Sequence, residues 1–147
     1  MTSHPLPEPV DVARTRRAEL LAALTALERA LAAPARDPTW AARVQARTDR
    51  LANSFGDHVA ATEGPDGMYG DILRTAPRLN FAVARLASEH DDIRTSITAL
   101  AKLVDDLSGP DTDAIERIRD EGTNLLARLG RHRQRGVGTA AGHTGAG

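Results

Sequence analysis

Three histidines, His58, His90 and His132, stand far apart in the chain, yet each falls on the apolar seam of a different helical segment. A buried imidazole must find partners for two ring nitrogens. A metal ion can supply one while a carboxylate or carbonyl behind the ring supplies the other. Seam positions make up about two in seven of a coiled-coil-like helix, so three independent landings come to roughly one in forty. One such histidine reads as a hydrogen-bonded core residue, whereas three on three helices point to a metal site inside a helical bundle. The chain contains no cysteine. Thiolate sites, disulfides and thiol catalysis are therefore excluded, and any metal must be held by nitrogen and oxygen.

The segments that must position these side chains show in the periodicity. At 147 residues the chain has the length of one domain with one core. Four segments carry the helical period and none alternates like a strand, so the expected fold is all-α, an antiparallel up-down four-helix bundle. The first helix is expected over 10–33, with Ala13, Arg17, Leu20, Leu24, Leu27 and Leu31 along its seam and Pro34 stopping it. The second, over 38–62, takes Asp37 as N-cap and Pro38 in its first turn, and its inner face reads Trp40, Val44, Leu51, Phe55, His58 and Thr62. Glu63-Gly-Pro-Asp-Gly interrupts it before a further short helical piece over 69–76. The third helix, over 77–107, has the firmest register: Leu79, Val83, Leu86, His90, Ile93, Ile97, Leu100, Val104 and Leu107 alternate spacings of four and three. Gly109 and Pro110 end it, and the fourth, over 111–135, brings Ile115, Ile118, Gly122, Leu125, Leu129 and His132 to its seam. Residues 1–9 and the glycine-rich tail 136–147 offer nothing to bury and are expected to be disordered.

Whether the histidines meet depends on their level. At about 1.5 Å per residue from the turn near Gly109, His90 lies about 28 Å along the third helix and His132 about 34 Å along the fourth, a difference of about one turn. His58 joins them if 69–76 continues the axis of the second helix, which makes Gly-Pro-Asp-Gly a kink beside the site. Glu63 lies five residues after His58, about 140° around the helix, so the two share a direction only if the helix distorts. Glu89 faces a neighbouring helix, where it can hold another histidine's N–H or make a surface ion pair. Arg128, Arg131, Arg133 and Arg135 crowd the expected end of the fourth helix, where positive charge complements the helix dipole.

Phe55-Gly-Asp-His58 with Glu63, Leu86-Ala-Ser-Glu-His90-Asp-Asp-Ile93 and Leu129-Gly-Arg-His132 together resemble the second to fourth helices of the hemerythrin-like (HHE cation-binding) family, over about residues 50–135. The resemblance implies an antiparallel four-helix bundle around a non-haem, usually di-iron, centre that serves oxygen-type small-ligand sensing or iron handling. It also implies His58, Glu63, His90 and His132 as metal ligands. The chain departs from the family in having no histidine on its first helix, Arg94 in place of a second histidine after His90, and Gly136-Val-Gly in place of a later carboxylate. A complete di-iron set is absent. What remains suits one iron or another divalent metal with a position open to a small ligand. Asp11, Glu8 and His4, near the start of the first helix, are the candidate substitutes.

Other chemistry finds little support. The 19 basic and 20 acidic residues leave a charge of −1, which exerts no pull on nucleic acid or an anionic membrane. No apolar run approaches the roughly 18 residues of a membrane span and no signal peptide is evident, so a soluble cytoplasmic protein is expected. The alanine- and arginine-rich composition suits a GC-rich bacterial gene. No nucleophile constellation, phosphate loop, zinc-protease motif or calcium loop stands out, and catalysis is not expected. The alternative is a metal-free helical bundle acting through protein contacts, as a homodimer that covers the weakly apolar start of the first helix.

Overall fold

Apolar spacing becomes helix wherever it is sustained. The computed structural model describes residues 9–144, in which α1 (Pro9–Ala32), α2 (Trp40–Glu63), a short α3 (Met68–Thr75), a 3₁₀ turn (Pro77–Leu79), α4 (Asn80–Asp105) and α5 (Thr112–Thr144) follow in order. The described residues contain no strand. The four long helices close a ring in which α1 and α4 each pack on both α2 and α5, and α3 touches all four.

The start of α2 differs from expectation for a local reason. Asp37 does not cap α2: its carboxylate accepts the Thr39 N–H at 2.9 Å and the Thr39 hydroxyl at 2.8 Å, a side-chain turn that places Pro38 ahead of the helix. The helix opens at Trp40. At its other end α2 runs to Glu63, the expected break follows, and the further short helical piece forms as α3. Gly67 suits the turn between them: its N–H donates to the Gly64 carbonyl at 2.8 Å, and a Cβ there would stand 2.5 Å from the Thr62 carbonyl oxygen.

The core has two unequal parts. The larger joins Leu20, Leu27, Leu51, Leu100, Ile118, Leu125 and Leu129, all essentially inaccessible, and each such side chain contributes about 1.5–3 kcal/mol by burial. The smaller gathers Ala13, Met68, Tyr69, Ile72, Val83 and Leu86, with α3 supplying three of the six. On α4, His90 falls between Leu86 of the smaller cluster and Ile93 of the larger. A polar layer therefore separates the two.

The tail corrects the expected disorder of 136–147. Helix α5 continues through Gly136 and Gly138 to Thr144, although residues 145–147, like 1–8, lie outside the described residues. Each glycine costs a helix about 1 kcal/mol relative to alanine. Packing offsets that cost: Thr139 is buried, Ala140 lies against the smaller cluster, and the Arg78 guanidinium donates to the Gly142 carbonyl at 2.8 Å. Arg128 to Arg135 consequently sit inside the helix, so the dipole explanation for them falls away. No described helix is long and apolar enough to cross a membrane.

Candidate metal centre

Each long helix other than α1 contributes one histidine to the polar layer. His58 lies five residues before the end of α2, His90 ten residues into α4, and His132 faces them from α5. All three are almost wholly buried, at 4%, 1% and 2% exposure. Their ring centroids lie 5.1 Å (His58–His90), 5.4 Å (His58–His132) and 4.8 Å (His90–His132) apart.

The nitrogens converge more closely than the rings. Nε2 of His132 lies 3.3 Å from Nε2 of His58 and 3.2 Å from Nε2 of His90. Donors bonded at about 2.0–2.1 Å to a tetrahedral ion are separated by about 3.3 Å. These three residues form the one group of potential ligand atoms of this kind among the described residues, all within 4.8 Å of one another.

Carboxylates hold two of the rings from behind. His90 Nδ1 donates to Glu63 at 2.8 Å, and His132 Nδ1 donates to Glu89 at 3.1 Å. Arg135 in turn pairs with Glu89. With the proton on Nδ1, each neutral ring presents a bare lone pair at Nε2, the arrangement that orients metal-binding imidazoles. His58 Nδ1 is buried without a partner.

Burial keeps the imidazoles neutral. It pushes His58 down to about 3, helped by its two neighbouring histidines and by Arg17. His90 is likewise lowered to about 3, chiefly by burial and then by His132. His132 falls to about 4 for the same reason, with Glu63 opposing the shift. A neutral imidazole is the form that binds metal.

Helix α1 brings no ligand to the cluster. It contributes Arg17, whose Nη1 is buried without a partner and whose pKa is lowered, first by burial and then by Arg14 and Arg133. Asp11 is exposed and lies 3.6 Å from Arg14, while Glu8 and His4 fall outside the described residues. Glu63, implied by resemblance as a ligand, instead lies on His90 Nδ1, across the ring from the converging Nε2 atoms. Its position around α2 aims it at α4 rather than alongside His58. Glu89 unites the two uses read for it, holding the His132 N–H and an arginine.

Sequence reasoning missed Tyr69. Its ring stacks on His90 with centroids 5.8 Å apart and an interplanar angle of 15°, and its hydroxyl lies 3.4 Å from His90 Nε2. Phe55 meets the same imidazole edge-on at 5.5 Å. No periodic signal could have flagged a residue on an eight-residue helix beyond a turn; the only sign was that the chain has a single tyrosine. No protein-family model, curated protein or solved structure matches the chain, so the chemistry of the site rests on its own geometry.

Proposed function

We propose that this chain is a metal protein of antiparallel up-down, hemerythrin-like architecture that binds a single iron or comparable divalent ion through His58, His90 and His132. The observation that carries the reading is the convergence of three buried Nε2 atoms, two of them on rings whose Nδ1 is held by a carboxylate. Three neutral nitrogens suit a first-row transition ion better than calcium or magnesium, which prefer oxygen. When bound, the ion supplies a Lewis-acid position for water or a small oxygen-type ligand. The protein's own part is to orient the rings, keep them unprotonated and exclude bulk water. Sensing of such a ligand, or metal handling, in a soluble cytoplasmic protein is the role this arrangement suits. Glu63 and Glu89 then act as positioning residues rather than ligands.

The metal-free alternative has Phe81 in its favour, a large apolar side chain 87% exposed on α4. A lone exposed ring is ordinary on a protein surface and does not define an interface. Metal content after reconstitution with ferrous iron or zinc separates the readings. The expected result is one ion per chain in the wild type and a large loss in His90→Ala; a wild type that retains no ion refutes the proposal.

A further inference from the structure

Tyr69 occupies a place that three histidines alone leave unexplained. We infer that its phenol oxygen is a fourth ligand to the ion held by His58, His90 and His132, an inference that rests on the metal reading of that cluster. The Tyr69 hydroxyl lies 3.4 Å from His90 Nε2, beside separations of 3.3 Å and 3.2 Å between the histidine nitrogens. These three distances are near the edge expected between donors sharing a tetrahedral ion, about 3.3 Å, and the three histidine donor atoms all lie within 4.8 Å of one another. The two rings stack nearly parallel, at 15°, with their centroids 5.8 Å apart, so the phenol oxygen and the imidazole nitrogen lie closer to each other than the ring centres do.

The position of Tyr69 is also built rather than incidental. It sits 5% exposed within the smaller apolar cluster, on α3, which touches all four long helices. Gly67 accommodates the tight turn that precedes this helix. Thr62, on the last turn of α2, lies near the same phenol while its hydroxyl donates to the His58 carbonyl at 2.9 Å. Once an ion takes the His90 lone pair, the phenol loses that acceptor and its oxygen faces the ion. On loading, the Tyr69 O–H bond breaks, an oxygen–metal bond forms, and the proton passes to solvent. The histidines, already neutral, release none.

Ferric iron, supplied as its citrate complex to the full-length chain, is the probe. A phenolate bound to ferric iron gives an intense charge-transfer band in the visible that imidazole and carboxylate do not. Because the chain has only one tyrosine, such a band identifies Tyr69 even without a variant. The expected result is one iron per chain with the band in the wild type, and iron without the band in Tyr69→Phe, which keeps the ring that stacks on His90. Resonance Raman excitation in the band should show phenolate modes. A wild type that binds one iron and lacks the band overturns the role of Tyr69 and leaves the three-histidine centre standing. A wild type that binds no iron and no zinc overturns both.

Discussion

Replacing Glu63 with alanine removes the carboxylate behind His90 and leaves all three Nε2 atoms in place. The Glu63 side chain is 37% exposed, so in the metal-free protein water can take over its hydrogen bond, and the direct cost is expected to be below about 1 kcal/mol. The effect on the ion is larger, because losing such a carboxylate weakens metal binding by about 10- to 100-fold. With zinc at about 100 times the wild-type Kd, binding stabilises the fold by about 2.7 kcal/mol; a tenfold weaker site yields about 1.4 and a 100-fold weaker one about 0.4 kcal/mol. An unfolding entropy of about 2.1 cal/mol/K per residue makes 1 kcal/mol worth about 3 °C in a chain of this length. Calorimetry with and without zinc should therefore show a rise of about 9 °C in the wild type and about 1–4 °C in Glu63→Ala. Glu63→Gln keeps an acceptor for the His90 N–H and should fall between them. Equal rises in the wild type and Glu63→Ala would refute the reasoning. So would a Tm loss in Glu63→Ala that is the same with and without zinc, since that assigns the carboxylate a structural role alone.

Acid should destabilise the metal-stripped protein before most carboxylates titrate. Burial lowers the three histidines to about 3–4 in the fold, against about 6.5 in the unfolded chain. The unfolded state thus binds more protons, so the stabilisation is complete above pH 6.5 and is lost as pH falls toward the folded values. Between pH 7 and 5.5 the loss is about 1 kcal/mol per histidine, a few kcal/mol in all, and urea denaturation across that range should record it; a flat profile contradicts neutral burial. Deleting residues 137–147 removes the buried Thr139 and the Ala140 that packs against the smaller cluster. It should lower stability by about 1–3 kcal/mol while leaving one zinc per chain, and an unchanged Tm would show that the last turns of α5 contribute no packing.

The sequence was most informative where packing obeys a period. The unbroken four-three spacing through His90 fixes which face of α4 turns inward, and the same logic reaches His58 and His132. The level of His58 was harder to read. His58 stands five residues from the end of α2 whereas His90 stands ten residues into α4, and α3, which touches all four long helices, follows the break between them. Counting residues along a helix does not say how the chain crosses such a break. The tail misled for a different reason: composition describes what glycine prefers alone, while Ala140 packs against the smaller cluster and Gly142 accepts from Arg78, far back in the chain. Tyr69 stayed hidden because its partner, His90, is set by how α3 packs on α4 after the break over 64–67, a tertiary event with no repeat to announce it.

The smaller apolar cluster also bears on time. Met68, Ile72, Val83 and Leu86 are each 5% exposed or less, and α3 contacts all four long helices. On the proposed metal reading, local opening of α3, whose frequency is set by the burial of those side chains, is one step that can govern release of an ion. Its residence time would then depend on Met68 and Ile72 as well as on the ligands. Shaving either to alanine should speed exchange of the ion with a chelator more than it weakens equilibrium binding.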